Sequence, residues 1–314
     1  MRPKPILSLL LIFTTLYTFA QRDLEISIER NSDQSVDFNY IKNKHGMYIV
    51  KVKLNELANS SSMHEEYETV ALNPTGTLLK LKPSDNILPI TFKTYSYQYM
   101  LGSTAKVDTN FVYALPLPSN TEYFVRNAGL VTSSIIGEKT PDYFKSFKFR
   151  TQESTDILAI RKGTVIEILD KYEVTPDTKF SYKSTINKIV VQHQDGSLAV
   201  YNGFMKGTVK VKEGDTVYPQ SKLASSVKYN DSDKSYTFSV RVIYPKDRPF
   251  DIPVPTTLKE SIDNPRYNYV NIKFFHGDNT PTKDYKNSLK VPELSKDIVQ
   301  KEFSKKELKK LAAK

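Results

Sequence analysis

The stretch KIVVQHQDGSLAVYNG, residues 188–203, carries the clearest structural signal in this chain. Two β-prone runs flank the Asp195-Gly196 pair. Asp-Gly is a preferred loop of a β-hairpin, because glycine adopts a positive φ at no steric cost. The stretch therefore predicts an antiparallel hairpin whose two strands are rich in Val, Ile and Leu.

Further short strands and glycine turns surround this hairpin in a defined order. Ala159-x-x-x-Gly163-x-Val165 precedes it, and residues 211–220 follow it with the pattern Val-x-x-Gly-Asp-x-Val-x-x-Gln. Residues 236–242 then alternate as a closing strand. Short strands with glycine at several corners predict a small, tightly coiled β-domain.

These motifs, taken together over residues 156–242, resemble the lysostaphin/LytM-type family of zinc endopeptidases. The resemblance covers less than a third of the chain. It implies a β-rich barrel-sandwich hybrid fold and a setting in the cell envelope, where active members cut peptidoglycan peptides. It also implies a zinc ion held by two His and one Asp, with an open position that activates water.

The side chains implied for that chemistry are absent from the matching positions. A His-x-x-x-Asp motif is implied before the first strand, but residues 143–150 contain no His and no carboxylate. Ser235 and Thr237 stand where a His-x-His pair is implied in the closing strand. A further His is implied two residues after Tyr201, and Gly203 stands there. A hydroxyl is a poor zinc ligand at neutral pH, and glycine has no side chain.

We therefore predict a pseudoenzyme with no catalytic residue, no metal ligand and no cofactor. The family commonly has a His that is not a ligand at the position of His193, so we expect that residue either to pack in the turn or to be exposed at the surface. The former groove is expected to persist as a binding surface, and its candidate residues are His193, Tyr201, Gly203, Ser235 and Thr237.

The rest of the chain predicts a mainly β protein. Residues 21–143 show strand after strand between turn clusters, which favours an antiparallel β-sandwich. The degenerate LytM-like domain is assigned to residues 144–244, followed by an extended β segment at residues 245–290. Residues 291–314 form a Lys-rich segment that predicts a short C-terminal helix, with Ser295 as its N-cap.

The first twenty residues and the composition predict an exported protein. Arg2 and Lys4 precede an apolar run that ends near Ala20, which is the layout of a secretory signal peptide. No later segment is apolar enough to predict a membrane span. The chain has no Cys, so disulfides and thiolate metal sites are excluded. Its net charge of +10 indicates a well-solvated surface or weak attraction to anionic envelope polymers. Export disfavours nucleic acid as a partner.

Three functions remain open at this level. The first is a non-catalytic LytM-like envelope protein that binds peptidoglycan or a partner protein, in the periplasm, on the envelope or outside the cell. The second is an active zinc metalloendopeptidase whose ligands are displaced from the family positions. The third is a structural or assembly module of the envelope.

Overall fold

The computed structural model describes residues 22–127, 139–173, 186–228, 234–276 and 289–312. The predicted signal peptide lies outside these residues. The predicted mainly β fold with a short helical C-terminal segment is confirmed. The strands are β1 (Leu24–Arg30), β2 (Val36–Lys42), β3 (Tyr48–Asn55), β4 (Glu66–Ala71), β5 (Thr75–Leu81), β6 (Thr94–Leu101), β7 (Val112–Tyr113), β8 (Glu122–Asn127), β9 (Phe147–Thr151), β10 (Asp156–Leu158), β11 (Gly163–Leu169), β12 (Lys188–Gln192), β13 (Leu198–Asn202), β14 (Thr216–Val217), β15 (Lys222–Ser225), β16 (Tyr236–Pro245), β17 (Tyr267–Tyr269), β18 (Lys273–Phe274) and β19 (Leu289–Lys290). The helices are α1 (Leu258–Asp263), α2 (Lys296–Gln300) and α3 (Lys305–Ala312).

Two small antiparallel sheets form the N-terminal part. One has the strand order β1-β2-β5 and the other β4-β3-β6. Val36, Phe38 and Tyr40 alternate along β2 and are buried, while Val50 and Val52 of β3 are buried in the same hydrophobic cluster. The period of two in a strand places every second side chain on one face, so these apolar residues meet between the sheets.

A larger sheet contains the predicted hairpin of residues 188–203. Its strand order is β14-β11-β12-β13-β16-β9-β8-β19, with β17 paired to β16. The β12–β13 hairpin pairs Val190 with Val200, and Gly196 in its turn has a φ of 82°. The strand and turn order predicted for residues 156–242 is confirmed where the structure describes it.

The predicted domain boundary at residue 143 falls between two paired strands. β8 precedes that boundary and pairs antiparallel with β9, which follows it. β7 also precedes it and pairs with β18, which belongs to the predicted extension. The division of the chain into residues 21–143 and 144–244 stays a prediction.

Gly163 is required at the start of β11 because the neighbouring strand approaches it closely. A Cβ built on Gly163 would lie 2.5 Å from the carbonyl oxygen of Gln192 and 2.6 Å from a methyl carbon of Val191. No side chain fits at such distances, so only glycine lets β11 pair with the end of β12.

The C-terminal segment is helical but divided. Ser295 is the N-cap of α2, as predicted, and its side chain accepts a hydrogen bond from the backbone N–H of Ile298. A second start follows at Ser304, where Glu307 accepts from the Ser304 backbone and Ser304 accepts from the Glu307 backbone. This reciprocal pair is a capping box, and it begins α3. None of the helices in the described ranges is long and apolar enough to cross a membrane.

Candidate functional site

Three of the five predicted groove residues lie at one end of the large sheet. Asn202 of β13 pairs with Ser239 of β16, which places Gly203 at the same sheet end as Thr237. Ser235 directly precedes β16 and is half-buried at that end. The chain thus brings together the three positions at which the family resemblance implies imidazole side chains.

Gly203 and Thr237 are both held in place at this sheet end by backbone hydrogen bonds to neighbouring residues. Gly203 has a φ of 80° and donates its backbone N–H to the carbonyl of Asn187 at 3.0 Å. Thr237 is buried, and its backbone N–H donates to the carbonyl of Val227 at 2.8 Å. The Thr237 Oγ1 atom has no hydrogen-bond partner within the described part of the chain. Burying a hydroxyl without a partner is unfavourable, so this position is held by the packing around it.

Tyr201 belongs to the core of the large sheet. It pairs with Val240, and paired side chains share a face, so Tyr201 points to the face opposite that of Thr237. Its side chain is fully buried, and its hydroxyl accepts a hydrogen bond from the backbone N–H of Ile160 at 2.9 Å. Burial raises the pKa of Tyr201 above its ordinary value.

His193 lies at the other end of the β12–β13 hairpin, in its turn. The side chain is buried, and its Nδ1 forms a hydrogen bond with Ser197 Oγ at 2.9 Å. Burial and the nearby positive charge of Arg161 lower the pKa of His193 to about 3, against a weaker opposing effect of Asp195. His193 is therefore a neutral part of the turn, separated from Gly203 by the length of the strands.

The side chains at the predicted groove do not fit a zinc ion. The positions implied for imidazoles hold a glycine, a serine and a buried threonine, and none of these supplies a nitrogen or carboxylate ligand. Across the described ranges, no group of three or more His, Asp or Glu side chains is arranged to hold a metal ion.

Arg161 is a buried arginine that binds two carboxylates and packs on an aromatic ring. Arg161 donates from Nε and Nη2 to the two carboxylate oxygens of Glu302 at 2.9 and 2.6 Å. Its Nη1 donates to Asp195 at 2.8 Å, and its guanidinium lies 4.0 Å from the centre of the Phe111 ring. Burial alone would lower the pKa of Arg161, but the hydrogen bond to Glu302 and the charge of Asp195 raise it above its ordinary value.

A second contact fixes the same C-terminal segment, residues 296–312, which we call the tail. Lys162 donates to Glu307 at 2.8 Å, and the hydroxyl of Tyr218 donates to the same carboxylate at 2.6 Å. Hydrogen bonds from Lys162 and Tyr218 lower the pKa of Glu307 below its ordinary value. The rings of Tyr218 and Phe303 pack edge to face with centroids 4.8 Å apart.

The tail forms one wall of a cleft of about 980 Å³. The second wall is the loop of residues 42–47 between β2 and β3. The floor comes from the large sheet, through residues 162–164 and 192–194 and through Thr216 and Tyr218. We call this volume the tail cleft. It lies at the His193 end of the hairpin, away from Gly203 and Thr237.

Sequence reasoning missed the tail cleft because its parts are far apart in the chain. Arg161 lies inside the motif that runs from Ala159 to Val165, and Glu302 and Glu307 are two of the few acidic residues in a Lys-rich segment. The spacing of these two carboxylates could have indicated that the segment docks on cations, but no neighbouring residue in the sequence indicates which cations they meet. Gln192 likewise accepts from the Met47 backbone N–H at 2.5 Å across 145 positions, joining the loop to the sheet.

Comparison with known proteins found no matching family model and no matching curated protein. Among solved structures, the chain is similar to the SpoIIQ–SpoIIIAH pore-forming complex, with 16% identity over 42% of this chain and 82% of the other and a TM-score of 0.26. It is similar to the M23 metalloprotease pseudoalterin from the deep sea, with 19% identity over 41% of this chain and 69% of the other and a TM-score of 0.26. It is similar to Helicobacter pylori Csd3, with 11% identity over 70% of this chain and 66% of the other and a TM-score of 0.25. TM-scores this low do not establish a shared fold, and the resemblance to the LytM type rests on the sequence motifs.

Proposed function

We propose that this chain is a non-catalytic, exported protein of the cell envelope, built on a LytM-like scaffold, that binds peptidoglycan or an envelope protein. The observation that carries the proposal is the pair Gly203 and Thr237. Gly203 directly follows β13 and Thr237 belongs to the neighbouring β16, at the sheet end where the family resemblance implies imidazoles. A glycine and a buried threonine hydroxyl supply neither a zinc ligand nor a general base.

The scaffold has a source of stability that is independent of a metal. Ile189, Val191, Tyr201, Phe238 and Val240 are among the buried residues of one cluster beneath the large sheet. Burial of apolar side chains is the dominant favourable term in folding. Loss of the implied ligands would therefore leave a folded surface available for binding.

Zinc content and hydrolysis test the non-catalytic part of the proposal. The purified mature protein is dialysed against buffer without chelator, its zinc is measured by mass spectrometry, and it is then incubated with purified sacculi. We expect well under one equivalent of zinc and no release of wall fragments. One tightly bound equivalent, with hydrolysis abolished by a chelator, would establish the zinc metalloendopeptidase with displaced ligands instead.

Sedimentation with sacculi tests the binding part. The protein is mixed with purified sacculi over a range of salt concentrations, and bound and free fractions are measured. Retention at physiological salt supports peptidoglycan as the ligand. No retention at any salt, together with specific capture of a protein from the envelope fraction, assigns the partner-protein form. If the protein neither sediments with sacculi nor captures an envelope protein, the proposal is overturned and the structural module is the remaining function.

A further inference from the structure

The tail cleft carries an excess of positive charge that its own acidic groups do not neutralise. Its lining includes four lysines and two glutamates. Glu302 is bound by Arg161, and Glu307 is bound by Lys162 and Tyr218. The remaining lysines of the lining are Lys42, Lys44 and Lys301.

These three lysines have weak or no acidic partners in the described ranges. Lys44 lies 3.7 Å from Glu213, and the Lys44 side chain is 52% exposed. The ammonium of Lys301 lies 4.2 Å from the centre of the Phe111 ring, and no ion pair is found for it there. Lys42 donates to backbone carbonyls, including that of Leu72 at 2.8 Å, and partial burial lowers its pKa. A ligand that brings carboxylates would gain charge pairing and would compete only with the long, exposed contact between Lys44 and Glu213.

The docked tail shows which chemistry this surface recognises. Glu302 and Glu307 belong to one chain segment, and both are met by cations that project from the start of β11. Arg161 contributes a bidentate contact, which is specific for the geometry of a carboxylate. The tail is therefore held through its carboxylates, and the other lysines of the lining offer the same chemistry to an acidic peptide.

The size of the tail cleft limits the ligand to a short chain. A volume of about 980 Å³ between the loop of residues 42–47 and the tail is in the range of sites for small molecules and short peptides. The lining also offers polar groups beside the lysines, including Asn43, Gln194 and Thr216.

We propose that the tail cleft binds a short acidic peptide, whose carboxylates pair with Lys44 on the loop wall and with Lys301 on the tail wall. This inference rests on the proposed function for the role of the protein as a binding module. It adds the site and the ligand class, and it moves the site away from the sheet end that the family resemblance indicates. Carboxylate-bearing peptides occur both in the cell wall and in acidic protein segments, so the test includes both sources.

The probe is fluorescein-labelled hexaglutamate, measured by fluorescence polarisation with the full mature protein, and hexaglutamine with the same dye is the reference. We expect hexaglutamate to bind at least about tenfold more tightly, and the difference to shrink as salt is added. The double variant Lys44→Glu with Lys301→Glu should weaken hexaglutamate binding by about tenfold or more. Equal binding of the two peptides to the wild-type protein would overturn the proposal.

The matched control is a charge reversal outside the tail cleft. Lys93 is a 68% exposed lysine paired with Glu56, and it is hydrogen-bonded to the far end of β3. Lys93→Glu should leave hexaglutamate affinity within about twofold. If Lys93→Glu weakens hexaglutamate binding as much per reversed charge as the double variant does, only the net charge matters and the site assignment is wrong. If the double variant is unfolded by circular dichroism, Lys44→Gln with Lys301→Gln gives the same comparison.

Competition identifies the source of the peptide. Stem peptides released from digested sacculi and linear acidic peptides of protein type are each used to displace hexaglutamate, and displacement by either supports the site. Sacculi that bind wild-type and double-variant protein equally would overturn the cleft as the ligand site while leaving the proposed function intact. Hexaglutamate binding that depends on Lys44 and Lys301, without retention by sacculi or any envelope protein, would support the cleft and overturn the proposed function.

Discussion

The guanidinium of Arg161 donates two hydrogen bonds to the carboxylate of Glu302, 141 positions later in the chain. A third hydrogen bond joins Arg161 to Asp195 in the hairpin turn. One buried side chain therefore connects the start of β11, the β12–β13 turn and the tail. The α2 helix of that tail has no buried residue of its own, so its position depends on these charged contacts and on Phe303.

Arg161→Met is expected to lower the free energy of unfolding by about 3–5 kcal/mol, because two carboxylates are left without their buried partner. Urea unfolding at neutral pH measures the change. Lys206→Met is the control, since Lys206 pairs with Glu173 at the surface and should cost no more than about 1 kcal/mol. Equal effects of the two substitutions would show that the Arg161 cluster does not stabilise the fold.

His193 should make the protein less stable as the pH falls from 6.5 towards about 3. Burial lowers its pKa in the folded state, so the unfolded chain binds a proton that the folded chain excludes in this interval. The contribution of neutral His193 to the free energy of unfolding is therefore fully present above pH 6.5 and is progressively lost below it. The measurement is the free energy of unfolding by urea at a series of pH values, with Arg161 and Asp195 left unchanged beside the histidine.

His193→Asn is expected to reduce this dependence between pH 6.5 and 5, because asparagine does not titrate and can still hydrogen-bond to Ser197. An unchanged slope in the His193 variant would contradict the assignment of a buried neutral imidazole.

Thr237→Val should leave stability unchanged or raise it by up to about 1 kcal/mol, since it removes a buried hydroxyl without a partner in the described ranges and keeps the shape. Thr237→His, which places there the imidazole that the sequence resemblance implies, should lower stability by about 1–3 kcal/mol because the larger ring must enter a packed site. Thermal unfolding with and without added zinc measures both variants. A Thr237→Val variant that is less stable than the wild-type protein by more than about 1 kcal/mol would contradict a buried hydroxyl without a partner.

Gly163→Ala is expected to destabilise the protein by about 1–3 kcal/mol or more, because its Cβ would overlap the Gln192 carbonyl oxygen at 2.5 Å. Gly207→Ala is the contrast, since a Cβ there meets nothing within 4 Å and only its φ of 75° is unfavourable. That backbone strain should cost about 1–2 kcal/mol. Denaturant midpoints for both variants decide whether close strand approach requires glycine at position 163.

Local patterns were enough to predict the strand and turn order of the large sheet. The Asp195-Gly196 turn and the closing strand depend on neighbours a few positions apart, and their geometry follows from glycine conformation and from the two-residue period of a strand. The N-cap at Ser295 was predictable for the same reason. The break between α2 and α3 was missed, although Ser304 and Glu307 have the spacing of a capping box.

The sequence by itself determined a mainly β chain and left the later positions implied for imidazoles filled by Gly203, Ser235 and Thr237. Only the tertiary structure decided that Tyr201 and Thr237 point to opposite faces of the large sheet and that His193 lies at its other end. It also decided that Arg161 meets Glu302 of the tail. Such contacts join side chains more than a hundred positions apart, and no periodic pattern encodes them because they depend on how complete sheets and the tail pack together.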